Sequence, residues 1–360
     1  MSLYEITDLA GLHRHLRAAM QLEHATIPPY LTALYSIKPG SNSEGFHILR
    51  TVAVEEMLHL TLTGNLLNAV GGKVDLTEPG FVPVYPAYLP DGETDFAVSC
   101  QKFSAEAIAS FLRIERPASL NPANHPAGSG NLRRRKRKAG LLQAGQPGHP
   151  DQRGDEHFYS IGEFYKAIEL GLDRLHGEMG DALFSGDPAR QIGPEYYYSG
   201  GGGLIEVRDI ATAKSALELI AEQGEGVTGH IFDEDDEISH YYRFQQLVLG
   251  RYYRAGDLPD QPSGGAVPVD WEQVWPIKTD ARLSDYPPDS GLRRAAVQFN
   301  TDYGVFLSLL TSAFNGEPKL FIEAVGGMFR LKEQFGNLMR QPIPDGSGLY
   351  AAPTFEINAA

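Results

Sequence analysis

Two Glu-x-x-His motifs predict the architecture of this chain. Val54-Glu55-Glu56-Met57-Leu58-His59 and Glu237-Ile238-Ser239-His240 each contain a glutamate followed three positions later by a histidine. On a helix, side chains three positions apart lie on one face, about 5–6 Å from each other, so each pair is able to bind the same metal cluster. One such pair is weak evidence, because a glutamate-rich helix contains them by chance. Two pairs on predicted helices, each preceded by a helix with its own glutamate, are typical of di-iron and di-manganese carboxylate bundles.

Apolar residues that recur at intervals of three and four predict the helices around these stretches. The four core helices are predicted over 8–37, 44–70, 209–225 and 234–250. Shorter helices are predicted over 104–115 and 160–178 within a loop-rich insertion, 74–208, and two more over 290–314 and 318–340 within a C-terminal extension, 251–360. The predicted fold is therefore mainly α: one domain, 1–360, built on a four-helix bundle with long insertions and a helical C-terminal extension.

The helix face that a residue occupies separates a metal ligand from a surface charge. Five candidates fall on the apolar stripes of their predicted helices, where a carboxylate is costly unless it is paired or bound to a metal. These five predicted ligands are Glu23, Glu56, His59, Glu237 and His240.

The sixth ligand lies in Glu222-Gln223-Gly224-Glu225-Gly226, where two glutamates compete. Extending the apolar stripe of that helix reaches Glu225, so Glu225 is the predicted ligand. Glu222 remains open as an alternative ligand or as a partner of one. In this arrangement Glu23 and His59 serve one metal ion, Glu225 and His240 serve the other, and Glu56 and Glu237 bridge. Oxygen and imidazole ligands without a thiolate favour iron or manganese, so two Fe ions (or Mn) are the expected cofactor.

Three further features are interpreted as structural. Glu163 follows Ser160 at a helix start and is predicted to form a capping box. His24 faces away from the apolar stripe and is left as a surface residue or a neighbour of the site. The run Arg133-Arg134-Arg135-Lys136-Arg137-Lys138 is interpreted as a solvated loop, with a nucleic-acid or targeting patch as the alternative.

The bulk composition limits the other function classes. The 360 residues carry a net charge of -15, which disfavours non-specific attraction to nucleic acid or anionic membranes. Cys100 is the single cysteine, which excludes a disulfide framework within the chain. No stretch reaches the ~18 apolar residues of a membrane span, and the N-terminus does not have the pattern of a signal peptide. We therefore expect a cytoplasmic protein without a nucleic-acid or membrane partner.

Several motifs together resemble the ferritin-like domain of the iminophenyl-pyruvate dimer synthases, enzymes of violacein- and rebeccamycin-type bisindole biosynthesis. The motifs are Gln21–Leu31, Val54–His59, Ser160–Tyr165, Glu222–Gly226, Glu237–Phe244 and the closing Gly346–Glu356. The similarity covers nearly the whole chain. Members of that family carry a large additional region that this chain lacks, so the resemblance implies the ferritin-like fold and the metal site more than the dimerising activity.

The expected function is oxidative. A dinuclear metal centre, di-iron or di-manganese, would activate dioxygen or peroxide against a small, amino-acid-derived substrate in secondary metabolism. Two alternatives stay open: a ferroxidase, peroxide-detoxifying or iron-handling protein, and a non-catalytic bundle that uses the metal as a clip. A homo-oligomer is compatible with each of these functions.

Overall fold

The computed structural model describes residues 6–90, 96–117, 120, 161–197, 202–224, 230–233 and 236–357. Within them lie eight α-helices joined by loops and short 3-10 turns, and the β pairing consists of isolated bridges. The mainly α fold class is confirmed. The helices are α1 Leu9–Ser36, α2 Ser43–Ala69, α3 Ala105–Ile114, α4 Ile161–Met179, α5 Ile210–Gly224, α6 His240–Leu249, α7 Gly291–Phe314 and α8 Leu320–Leu338.

A ring of four helices forms the bundle. α1 packs along α2, α5 packs against α2, and α4 closes the ring by packing against both α5 and α1. α3 and α6 pack on each other, and α6 also contacts α2 and α5, while the α7–α8 pair lies against α1 and α2. The grouping differs from the expected one, in which 234–250 was the fourth core helix and 160–178 belonged to an insertion.

Length and apolar surface explain this difference. α4 has 19 residues, and its buried face includes Phe164, Ile168 and Leu172, enough to span the bundle. α6 has only 10 residues and begins at His240, because the preceding segment forms a bridge between Phe232 and Ile238 instead of a helical turn.

Helix α1 continues through Pro28 and Pro29, both of which are buried. A proline has no backbone N–H, so Pro29 leaves the carbonyl of Ala25, four positions earlier, without its helical partner. The hydroxyl of Tyr85 donates to that carbonyl at 2.9 Å and supplies the missing hydrogen bond. The 74–90 loop therefore stabilises the middle of α1, close to the candidate site.

The second half of α2 holds the loop that follows α4. The amide of Asn65 donates to the carbonyl oxygens of Ile192 and Ile205, at 2.9 and 3.0 Å, and its oxygen accepts from the N–H of Ile192. The amide of Asn68 donates to the carbonyl oxygens of Arg190 and Phe314. Because both asparagines are buried, these bonds fix the loop on the bundle.

None of the described helices combines the length and the apolar character needed to cross a lipid bilayer.

Candidate metal centre

Five buried side chains from four parts of the chain converge inside the bundle. They form two groups, in each of which the potential ligand atoms lie within 4.8 Å of one another. The first group is Glu23, Glu56 and His59, and the second is Glu56, Glu115 and His240. Glu56 belongs to both groups, so its carboxylate would be shared if each group held a metal ion.

The elements that carry these residues explain the convergence. Glu23 lies in the middle of α1, and Glu56 and His59 lie one turn apart on the inner face of α2. Glu115 is the residue at the C-terminal cap of α3, and His240 is the first residue of α6. The packing of α3 against α6 thus brings the second group to the inner face of α2.

Both histidines are oriented from outside the cluster. Nε2 of His240 donates to Oε2 of Glu55 at 2.9 Å, since a carboxylate is able only to accept. Nε2 of His59 contacts Oε1 of Gln223 on α5, also at 2.9 Å. In each ring Nδ1 is therefore the nitrogen directed at the carboxylates: Nδ1 of His59 lies 3.4 Å from Oε2 of Glu23. A ring held by its outer N–H, with the inner nitrogen toward the ligand set, is the usual arrangement of a metal-binding histidine.

The carboxylates are oriented by hydroxyl groups. The buried Tyr165 of α4 donates to Oε1 of Glu23, and the buried Tyr30 of α1 donates to Oε1 of Glu115. The hydroxyl of Thr26 donates to Oε2 of Glu56 at 3.0 Å. Burial, followed by the neighbouring carboxylates, raises the pKa of both tyrosines well above the usual value, so both remain protonated donors.

The electrostatics of the cluster are unfavourable without a cation. Burial and the nearby charges of Glu115 and Glu23 raise the pKa of Glu56 well above its usual range. Burial also opposes ionisation of Glu23, but the hydrogen bond and charge of His59 outweigh it and lower the pKa of Glu23. Burial lowers the pKa of His240, yet the surrounding carboxylates outweigh it and raise that pKa. These pKa shifts all reflect negative charge that is concentrated in a buried site. Bound divalent cations would neutralise that charge directly.

One atom tests whether a metal ion fits. Nδ1 of His240 is buried and lies 2.9 Å from Oε1 of Glu56 and 3.5 Å from Oε2 of Glu115. Despite these distances it makes no hydrogen bond of acceptable geometry to the described residues. When the His240 ring is neutral, its Nδ1 and the two carboxylates face one space, and these are donors that would suit a bound cation. The donor set, oxygen and imidazole without sulfur, suits iron or manganese.

The structure brings together four of the residues predicted from the sequence: Glu23, Glu56, His59 and His240. It does not bring Glu237 to them. The side chain of Glu237 is 56% exposed, and its Oε2 lies 3.9 Å from the guanidinium of Arg243. Because α6 begins only at His240, Glu237 and His240 are not one helical turn apart, and the face argument does not apply to that pair.

The remaining predicted positions are outside the two groups. Glu222 lies half-buried on α5 and is not a member of either group among the described residues. Glu225 lies outside the described residues, as do Ser160, the partner predicted for Glu163, and the basic run from Arg133 to Lys138.

Glu115 and Glu55 are the residues that the sequence argument missed. Ile108 and Phe111 form the buried stripe of α3, and Glu115 continues it at the next turn, so the face test used for α1 would have found it. Glu55 gave no such signal, because its neighbour Glu56 already satisfied the motif.

The chain belongs to the ferritin-like family: the profile described as Ferritin-like matches residues 16–249. The chain is 25% identical over 330 residues to dichlorochromopyrrolate synthase of Lentzea aerocolonigenes, a match that covers 85% of this chain and 29% of the synthase. A solved structure of a ferritin-like protein from Caulobacter vibrioides has a TM-score of 0.60 and 21% identity, covering 97% of this chain and 99% of that chain. The resemblance predicted from the motifs is confirmed, and this chain spans only 29% of the synthase's length.

Proposed function

We propose that this protein is a dinuclear metal enzyme, with iron as the first choice and manganese as the second, that oxidises a small, amino-acid-derived substrate of secondary metabolism. The observation that carries the proposal is the sharing of Glu56 between two ligand groups in a buried site. The match to a synthase of a small organic molecule supports an enzymatic role over iron storage.

The proposed ligands divide between two positions. Glu23 and His59 would hold the first ion, Glu115 and His240 would hold the second, and Glu56 would bridge them. Two such ions supply a centre that binds and polarises dioxygen or peroxide. Glu225 remains a proposed additional ligand from the segment that follows α5.

The protein's own groups prepare this site. Tyr165, Tyr30 and Thr26 fix the carboxylates, while Gln223 and Glu55 fix the two imidazoles. These contacts would hold the ligand side chains in the orientation that metal binding requires. The near-complete burial of the five ligands also excludes bulk water from the reacting region.

Oxygen uptake and iron retention separate the proposed oxidase from an iron-handling protein. The protein is loaded with ferrous iron without oxygen, then exposed to air with and without a panel of aromatic and aliphatic amino acids and their oxo and imino acids. We expect about two irons retained per chain and oxygen uptake that rises sharply with one class of organic substrate. Fast uptake driven by free ferrous iron alone, with tens of irons retained, would reject the oxidase and support the ferroxidase alternative.

A further inference from the structure

A cavity separate from the candidate metal centre lies on the outer face of α2. It has a volume of about 550 Å³, within the range of small-molecule sites, and none of the five proposed metal ligands lines it. Arg50, Val54 and Met57 line it from α2, whereas Glu56 and His59 lie on the opposite face of the same helix. The helix α2 therefore stands between this cavity, which we call the outer groove, and the candidate metal centre.

The outer groove is long and mainly apolar. Its contact with α2 extends from His47 to Thr61, which corresponds to about 20 Å along a helix that rises 1.5 Å per residue. Aliphatic and aromatic side chains of α1, α7 and α8 form the other walls, among them Leu31, Leu307 and Met328. This shape suits an extended chain better than a compact ring system.

Two cations, Arg50 and Lys332, line the outer groove, and both have neighbours around Tyr35. Burial raises the pKa of the Tyr35 hydroxyl, and the positive charge of Arg50 opposes that rise. The ring centroid of Tyr35 lies 5.1 Å from that of Phe335. Phe335 follows Lys332 by about one turn of α8. Arg50 and Lys332 are both exposed and both line the groove. Across the described residues, no carboxylate lies within ion-pairing distance of either.

The two acidic residues of the outer groove have a cationic partner of their own. Glu55 and Glu237 both line the groove, and their carboxylate oxygens lie 3.7 and 3.9 Å from the guanidinium of Arg243. Arg243 thus lies beside both carboxylates, and neither carboxylate lies within ion-pairing distance of Arg50 or Lys332.

We propose that the outer groove binds a long-chain carboxylate, with the acyl chain along α2 between α1, α7 and α8 and the carboxylate at Arg50 and Lys332. Arginine and lysine together recognise a carboxylate by charge and hydrogen bonding. An extended chain of about sixteen carbons matches the length of the groove. The proposal is independent of the metal centre and of the oxidative function.

Isothermal titration calorimetry on the full chain tests the proposal with four probes below their aggregation limits: palmitate, octanoate, 1-hexadecanol and 2-naphthoate. We expect palmitate to bind at one site per chain, at least tenfold tighter than each of the other three. Arg50→Glu and Lys332→Glu should each weaken palmitate binding at least tenfold. Arg330→Glu is the matched control, because Arg330 is an exposed cation on α8 that does not line the groove.

A folding check and a groove-filling variant separate loss of binding from loss of structure. Both charge reversals are at exposed positions, and circular dichroism confirms that each variant is folded. A second variant, Val54→Trp, fills the groove and should abolish palmitate binding without a charge change. The proposal is overturned if palmitate does not bind, if 1-hexadecanol or 2-naphthoate binds as tightly, or if Arg330→Glu weakens binding as much as Lys332→Glu.

Discussion

Nδ1 of His240 lies 2.9 Å from Oε1 of Glu56, although the two residues come from helices far apart in the sequence. The opposite side of the same ring is held by Glu55, also at 2.9 Å. The ring is thus fixed from outside, and its inner nitrogen faces carboxylates without making a hydrogen bond to any described residue. The arrangement is one that a bound cation would suit, as proposed above.

Removing the shared carboxylate should remove both ions. We expect Glu56→Ala to purify with less than a tenth of the metal of the unmodified protein, and Glu115→Ala to lose only the second ion, about half of the total. Elemental analysis of protein purified without chelator measures both. Glu237→Ala is the control, because Glu237 is exposed and lies outside both ligand groups, and it should keep its full metal content. Loss of metal in Glu237→Ala with retention in Glu115→Ala would reverse the ligand assignment.

The tyrosine that orients Glu23 should affect metal affinity. Tyr165→Phe removes the hydroxyl that donates to Oε1 of Glu23 and leaves the ring in place. Loss of such an outer partner costs about 10–100-fold in metal affinity, which competition with a coloured chelator measures. Tyr252→Phe is a matched control, since Tyr252 donates to Glu44, a carboxylate outside the cluster. Equal effects of the two variants would show that Tyr165 has no specific role at the site.

Replacing Glu56 by glutamine should raise the melting temperature of the metal-free protein and abolish the stabilisation that added metal provides. Without metal, three buried carboxyl groups share one site, and burial and the neighbouring charges disfavour ionisation of Glu56 by raising its pKa. Glu56→Gln keeps the shape and is unable to ionise, so it avoids the cost of either protonating the carboxylate or burying it as a charge. The metal-free variant should therefore melt at a higher temperature than the metal-free unmodified protein. Added ferrous or manganous ion should raise the melting temperature of the unmodified protein by several degrees and leave Glu56→Gln almost unchanged.

Thermal melting under anaerobic conditions, with and without chelator, provides the comparison. If chelated Glu56→Gln is less stable than the chelated unmodified protein, the cluster is not a site of charge repulsion.

Close packing between α2 and α7 should make Gly64 intolerant of a side chain. A Cβ atom at Gly64 would lie 2.5 Å from Cε1 of the buried Phe314. Gly64→Ala should therefore destabilise the fold by about 1–3 kcal/mol. Gly177 on α4 is exposed, and no atom lies within 4 Å of the position that an added methyl group would occupy, so Gly177→Ala should instead stabilise the helix by about 0.5–1 kcal/mol. Urea unfolding of both variants measures the two free energies, and a stable Gly64→Ala would contradict the packing described.

Periodicity predicted the long helices well, because they bury a continuous apolar face. The bounds of α1 and α2 lie within one residue of the predicted 8–37 and 44–70. The same argument extended the last core helix too far, to 234. The segment before His240 instead forms a local turn, with a bridge between Phe232 and Ile238 and a positive φ at Asp236, and apolar periodicity does not reveal such a turn. Glu237 was assigned to the site for that reason alone.

In the candidate site, too, spacing predicted the residues on long helices and missed a residue at the end of a short one. Glu23, Glu56 and His59 lie within long helices, so the face of each followed from spacing. Glu115 lies at the end of a short helix, and only the packing of α3 against α6 places it beside His240. The buried stripe of α3 marks Glu115 as an inward-facing residue, but it does not show which distant residue Glu115 meets.

Anomalous X-ray diffraction at the iron edge, on crystals of protein loaded with ferrous iron without oxygen, tests directly whether the two ligand groups bind metal. We predict two anomalous peaks per chain, one bound by Glu23, Glu56 and His59 and the other by Glu56, Glu115 and His240. Repeating the measurement at the manganese edge after manganese loading separates the two candidate metals. Absence of both peaks, or a single peak away from Glu56, would contradict the dinuclear site on which the proposed function depends.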